Sequence, residues 1–220
     1  MNSIFDIIGP VMIGPSSSHT AGAARLGRMA RCIFRGMPPH VTMTLYGSFG
    51  KTYKGHGTDK ALLGGLLGLK EDDSRIRVAD ELAKREELDY IFVSSPAEVG
   101  HPNVVKFDMY DDDDKHIVVV GRSLGGGRIM ITEVDGVEME LTGDEFTLVV
   151  FHEDKPGAIF TISQILSDSN INIAGMRVFR KAKHKDAVMV INTDSVVLPI
   201  TVQYMKKCEG VQDIITFEAI

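Results

Sequence analysis

The chain has 220 residues, 44% hydrophobic and 25% charged, the balance of a soluble globular protein with room for one large domain or two small ones. Its net charge of −6 and pI near 5.6 exclude the clustered basic surface that nucleic acid or an anionic membrane requires. No apolar run reaches the roughly 18 residues of a membrane span, and Asp6, Gly9 and Pro10 interrupt an N-terminus without basic residues, so no leader is read there and a cytoplasmic location is expected.

In chain order, GPSSSHTAG (14–22) turns from loop into helix. Across AGAARLGRMARCIFRG, Leu26, Ala30, Ile33 and Phe34 share one helical face, while Arg25, Arg28, Arg31 and Arg35 run along another. That stripe reads as solvated, with an acidic partner as the alternative. Gly36 is the expected stop, with Pro38 and Pro39 beyond it. VTMTLYGS (41–48) reads as a strand, and the loop YKGHGTDK sets His56 and Thr58 before a helix capped by Asp59. The glycines of DKALLGGLLGL (59–69) predict a helix packed closely against a neighbour. SRIRVADELAKREE predicts an amphipathic helix with Ile76, Ala79, Leu82 and Ala83 inward, and DYIFVS, VVKFDMY, HIVVVGRSL and RIMITEV follow as strands. Asp111–Asp114 lack the spaced ligands and the glycine of a calcium loop and read as a solvated hairpin turn.

The polar stretch LTGDE (141–145) reads as a linker. Beyond it, FTLVVFH, PGAIFTISQILSDS, INIAGMRVFR, AVMVINTD, VLPITVQYMKKCEG and VQDIITFEA give the order βαββαβ, with a turn at KAKHKD, which is the ferredoxin-like arrangement. The expected architecture is therefore a mixed α/β domain over 3–140 and a ferredoxin-like α+β domain over 146–220.

Two loops of the first domain share one design. Ser16, Ser17, Ser18, His19 and Thr20 precede one helix, and His56 and Thr58 precede another. The unpaired amides and partial positive charge of a helix N-terminus suit a carboxylate or phosphate, and hydroxyls and glycines beside it add donors and allow close approach. An ordinary cap explains either loop singly; the recurrence favours a shared anion site. In SLGGGRI, the three glycines after Ser123 and Leu124 imply unusual dihedrals, a close neighbour or a flexible connection. GHPN (100–103) reads as a turn, with His101 extended before its proline. In FHEDKPGAI, His152, Glu153 and Asp154 lie before another helix start at Pro156 and Gly157.

Taken together, GPSSSHT, YGS, GHGTD, HPN and SLGGG resemble the β subunit of bacterial iron–sulfur-dependent L-serine dehydratase over essentially the whole chain. FHEDKPGAI and NINIAG resemble the corresponding stretches of an ACT domain, the amino-acid-sensing ferredoxin-like module. The resemblance implies conversion of L-serine to pyruvate and ammonia, with a [4Fe–4S] cluster as Lewis acid on the leaving hydroxyl and a monovalent cation as a further requirement of the class. It puts His56 and His19 in the chemistry. It also puts Ser16, Ser17, Ser18, Thr20, Thr58, Ser123, Gly125 and Gly126 at the substrate, and an amino acid between paired ACT modules at His152, Asp154, Gly157 and Asn172. Asp154 departs from the asparagine of serine-sensing modules, which leaves a cation or another ligand open there. A cluster needs at least three cysteines, and this chain has two, Cys32 and Cys208. The implied partner is therefore a cysteine-bearing α subunit, with self-association through the ACT modules; the alternative is a non-catalytic amino-acid-sensing regulatory protein.

Overall fold

Two runs of strands, each with its own helices, give two compact units that divide between Asp135 and Gly136. The computed structural model describes residues 10–180 and 182–220. The N-terminal residues 1–9, where no leader is read and where the first expected domain begins, lie outside them, as does Lys181 of the KAKHKD turn.

In the first unit, β1 (His40–Tyr46), β2 (Asp89–Ser95), β3 (Asn103–Tyr110), β4 (His116–Gly125) and β5 (Arg128–Val134) lie in the order β2-β1-β3-β4-β5. The β1–β2 pair is parallel, and β1–β3, β3–β4 and β4–β5 are antiparallel. Along β1, Val41, Met43 and Leu45 are buried while Thr42 and Thr44 are half-exposed, so one face of the sheet packs inward. Against the sheet lie α1 (Gly22–Phe34) and α2 (Gly47–His56). Next come α3 (Thr58–Leu66) and α4 (Ala79–Arg85), the latter preceded by a 3-10 turn, Ser74–Val78. That turn breaks the single helix expected over this stretch, although Ile76, Ala79 and Ala83 are buried as the pattern requires.

The glycine-rich helix does pack closely. A Cβ on Gly65 would lie 2.1 Å from the Ala24 carbonyl oxygen and 2.8 Å from Gly27 Cα, and one on Gly27 would lie 2.4 Å from the Leu62 carbonyl oxygen. Backbone therefore meets backbone between α1 and α3, an approach that any larger residue prevents.

Four expectations change. The arginine stripe is not solvated: Arg25 Nη1 donates to the Gly127 carbonyl at 3.0 Å, Arg28 pairs with Glu71 at 3.3 Å, and Arg31 Nη1 donates to the Leu66 carbonyl at 2.8 Å. It staples α1 to its neighbours, while Arg35 takes the left-handed C-cap conformation (φ 66°) instead of Gly36. Residues 47–56, read as a strand end at 47–48 and as loop from 53 on, are helix α2. Its start is capped from far along the chain, since the Ser48 and Phe49 amides donate to the Pro102 carbonyl at 2.6 and 3.3 Å. Asp59 caps nothing across the α3 start; left-handed Gly57 (φ 69°) joins the two helices, and the Asp59 carboxylate accepts from the adjacent Lys60 amide at 2.9 Å. The tetra-aspartate stretch is the expected hairpin turn, tied by Asp111 Oδ1, which accepts from the Asp113 and Lys115 amides.

The second unit opens with β6 (Val137–Leu141), a strand missed in the sequence, whose Val137, Met139 and Leu141 are buried. Then β7 (Phe146–Glu153), β8 (Ile173–Arg180), β9 (Asp186–Thr193) and β10 (Val211–Phe217) form an antiparallel sheet in the order β10-β7-β9-β8. With α5 (Ala158–Asp168) and α6 (Pro199–Lys206) this is the ferredoxin-like βαββαβ. Leu148, Val150, Ile162, Leu166, Met189, Ile191, Met205 and Ile214 form its core.

Gly65→Ala is expected to destabilise the protein by at least about 2 kcal/mol, because overpacking at a rigid backbone outweighs the helix-propensity gain. Gly55→Ala in α2, where a Cβ meets nothing within 4 Å, is expected to be neutral or stabilising by up to about 1 kcal/mol. Urea unfolding of the two variants measures the contrast.

Candidate active-site half

The stretch SSHTA, Ser17–Ala21, forms a single π-helical turn that runs into α1, and the Gly22 amide donates back to the Ser17 carbonyl. Isolated π turns are rare and are found most often where a site needs a side chain re-aimed. Ser16 is the cap, its hydroxyl accepting from the His19 amide at 3.2 Å. One serine thus does the ordinary capping, and the remaining polar groups turn elsewhere.

His19 holds a hydroxyl at each ring nitrogen. Nδ1 lies 3.0 Å from Ser18 Oγ and 3.5 Å from Ser16 Oγ, and Nε2 lies 3.0 Å from Ser48 Oγ, at the first turn of α2. Its ring meets Phe49 edge-on at 5.2 Å and lies 4.9 Å from the ring of His56. The two loops that share a design in the sequence are therefore neighbours in space. Burial, and then the like charge that His56 would carry, push the His19 pKa below the usual imidazole range. His56 is the last residue of α2, and its Nδ1 donates to the Thr52 carbonyl at 3.3 Å. A neutral His56 so held presents the Nε2 lone pair as its basic atom.

The SLGGG hairpin backs this cluster. Gly126 and Gly127 at φ 63° and 79° make the two-residue turn between β4 and β5, both residues left-handed. The Gly126 amide donates to Ser17 Oγ at 3.3 Å. Of the remaining expected residues, Thr20, Thr58 and Ser123 are 2%, 0% and 0% exposed, and their hydroxyls have no hydrogen-bond partner among the described residues. Ser123 lies directly under Gly22, where a Cβ would come within 2.1 Å of its Oγ. These three are buried within the first unit. Gly125 (φ 89°) shapes the turn.

Ser48 carried no role in the sequence reading, because it lies 29 residues from His19; the stretch YGS was its one signal. Beside it, a cavity of about 560 Å³ opens where β1 and β2 end, lined by Gly47, Lys51, Ser95, Glu98, His101 and Pro102 among others. Such crevices at the carboxyl ends of parallel strands are frequent ligand sites. His101 Nδ1 accepts from the Asn103 amide at 3.2 Å, and burial with nearby Arg122 lowers the His101 pKa.

In the second unit, His152 is 3% exposed; its Nδ1 donates to the Glu153 carbonyl at 2.7 Å, and its buried Nε2 has no partner among the described residues. Gly157 (φ 93°) caps α5. Asp154 Oδ2 accepts from the His184 amide at 3.0 Å and from Arg180 at 3.4 Å, and these contacts hold its carboxyl below the usual range. Asn172 does not join this group. It precedes β8 near the Thr193 end of β9, whereas His152 pairs with Ala187 at the other end, about 20 Å away at strand spacing. Asn172 Nδ2 instead donates to Asp194 at 2.6 Å.

The residues present do not fit an iron–sulfur cluster. The chain's two cysteines are Cys32, on α1 of the first unit, and Cys208, in the second. Burial pushes the Cys32 thiol up, away from the thiolate a cluster needs. Among the described residues no three His, Cys, Asp or Glu side chains group so as to hold a metal ion, and no helix is long and apolar enough to cross a membrane.

Residues 3–87 match the family model described as serine dehydratase beta chain, and 146–209 match the ACT domain model. The chain is 46% identical over 192 residues to a probable L-serine dehydratase β chain of Bacillus subtilis, covering 87% of each. It is 37% identical to the L-serine dehydratase β chain of Peptoniphilus asaccharolyticus, covering 96% of this chain and 94% of that one. Against the L-serine dehydratase of Streptomyces coelicolor the identity is 37% over 50% of this chain, but only 24% of that longer one. Fold and site define a two-unit protein, an α/β unit bearing a paired-histidine cluster followed by an ACT module. The chain belongs to the family of L-serine dehydratase β chains.

A base whose folded pKa is depressed takes up its proton first in the unfolded chain, so His19 favours the folded form less as pH falls through about 6.5. By NMR titration His19 is expected to protonate below that value, and in His56→Ala to titrate higher, since the substitution removes a like charge and opens the site. An unchanged His19 midpoint would contradict the coupling.

Proposed function

We propose that this chain is the β half of an L-serine ammonia-lyase that converts L-serine to pyruvate and ammonia and is active only with a cysteine-bearing α subunit. The observation that carries the reading is the His19–His56 pair, two imidazoles 4.9 Å apart amid serine hydroxyls. The reaction needs a base for the α-proton and donors for the carboxylate. Loss of that proton and the hydroxyl gives aminoacrylate, whose imine tautomer hydrolyses to the products. His56 Nε2 is suited to the proton. The Ser16–Ser18 hydroxyls and His19 suit the carboxylate, and buried Thr20, Thr58, Ser123 and the hairpin turn that Gly125 and Gly126 enter hold their backbone in place.

The [4Fe–4S] cluster expected of this class would polarise the leaving hydroxyl from the partner subunit, because this chain's two cysteines are too few to ligate it. The partner also accounts for the longer Streptomyces relative, in which the matched segment is 24% of the chain. A monovalent cation and a cytoplasmic location belong to the same reading.

The second unit is read as a sensor that self-associates. β8 is an edge strand; a twofold pairing of two copies along it would bring Asn172 of one copy toward Asp154 and Arg180 of the other, near buried His152 and Gly157. An ionised Asp154 repels an amino acid's carboxylate, that of L-serine included, so a cation or a ligand without that carboxylate is read there.

In the anaerobically reconstituted pair, His56→Ala is expected to lower kcat on L-serine by on the order of a hundredfold or more. Full activity in that variant removes His56 from the mechanism, and pyruvate formation by this chain alone overturns the division of labour. Asp154→Asn is expected to strengthen L-serine binding to the full chain by roughly tenfold, as calorimetry would detect; equal affinity would mean Asp154 is not at the ligand.

A further inference from the structure

We infer that His19, set as its Nε2–H tautomer by the Ser16 and Ser18 hydroxyls, donates to Ser48 Oγ and thereby turns the Ser48 hydroxyl proton toward a ligand carboxylate. This deepens the proposed function, on which the carboxylate as ligand rests.

The inference follows from the direction of hydrogen bonds within one small cluster. The His19 amide can only donate, so it occupies a lone pair of Ser16 Oγ at 3.2 Å. The Ser16 proton then has two acceptors in reach, Ser18 Oγ at 3.3 Å and His19 Nδ1 at 3.5 Å. If it goes to Nδ1, that nitrogen is an acceptor. If it goes to Ser18, the Ser18 proton finds its acceptor at Nδ1, 3.0 Å away. Either way the arrangement that gives each of these protons an acceptor makes Nδ1 the lone-pair nitrogen. A neutral imidazole then carries its proton on Nε2, which faces Ser48 Oγ at 3.0 Å. The depressed His19 pKa keeps the ring neutral near pH 7.

Ser48 Oγ is thus an acceptor from His19, and its own proton is left without an acceptor among the described residues. The hydroxyl lies at the first turn of α2, where the helix field favours an anion. The Ser48 amide is already taken by the Pro102 carbonyl, which fixes the backbone and leaves the hydroxyl as the group that can answer a ligand. A carboxylate oxygen is the acceptor this donor suits, and the proposed substrate supplies one.

The test uses ¹⁵N-histidine-labelled full-length chain at pH 7.5 together with steady-state kinetics of the reconstituted pair. In the wild type, His19 is expected to show a protonated Nε2 and an unprotonated Nδ1. Ser48→Ala is expected to shift His19 toward the Nδ1–H form and to raise KM for L-serine about tenfold with a smaller change in kcat, the loss of one hydrogen bond to a charged group. Ser48→Thr keeps the hydroxyl and is expected to restore both. A wild-type His19 protonated at Nδ1, or an unaltered KM in Ser48→Ala, overturns the inference. If the tautomer shifts as expected while the wild-type pair fails to consume L-serine, the positioning role stands and the proposed function falls.

Discussion

The close approach of α1 and α3 sets the geometry of everything around the histidines. Gly27 and Gly65 let the two helices meet backbone to backbone, and each helix is entered from one of the polar loops: the π turn carrying His19 leads into α1, and His56 with Gly57 leads into α3. Helices held at this separation leave their starts little freedom. Two imidazoles that sit on different turns, 37 positions apart by their numbers in the chain, consequently lie ring to ring. A side chain at either glycine would overlap the facing backbone and force the two helices apart, so the packing constraint bears directly on the loops that enter them.

Around that frame the polar groups are set in an unusual balance. Thr20, Thr58 and Ser123 are buried hydroxyls without partners among the described residues, each a cost that an apolar side chain of similar size would avoid. The exposed edge of the same cluster holds His19 between serines on both ring nitrogens. A fold that keeps this many hydroxyls around one turn is locally inconsistent with simple stability, and such inconsistencies concentrate at functional sites. The arginines of α1 fit the same picture. They read as a solvated stripe by spacing alone, yet Arg25 and Arg31 are spent on carbonyls and Arg28 on Glu71, bonds that tie α1 to the hairpin turn at Gly127 and to α3.

The ferredoxin-like order of the second unit and the close packing of the glycine-rich helix were legible in the sequence, because each rests on local periodicity or on glycines inside an apolar run. Helix α2 was illegible for a definite reason. Its sequence, GSFGKTYKGH, carries three glycines and little amphipathic pattern, and its cap is a carbonyl at Pro102, supplied by tertiary structure. Strand β6 carries the alternation of a half-buried strand, Val137, Met139 and Leu141 inward with Glu138 and Glu140 between them, but it is only five residues long and runs into a stretch that looks like a linker. At the site, the motifs named His19 and His56, but nothing local says that the rings touch or that Ser48 completes the cluster. Thr58 looked like a substrate contact because it stands beside His56 in the chain; the turn at Gly57 sends it inward instead.

The same distinction between sequence neighbours and spatial neighbours governs the second unit. His152, Asp154 and Gly157 are close in both senses, so one loop gathers them, whereas Asn172 lies just before β8 at the far end of the sheet. Antiparallel pairing fixes that separation: β7 and β8 both pair with β9 and therefore run the same way, which puts the end of β7 beside the end of β8 and away from its start. One copy of this sheet cannot close a site on all four residues, whatever its loops do. A site that uses Asn172 with the others requires two copies, and a ligand at it would then report on assembly as well as on its own concentration.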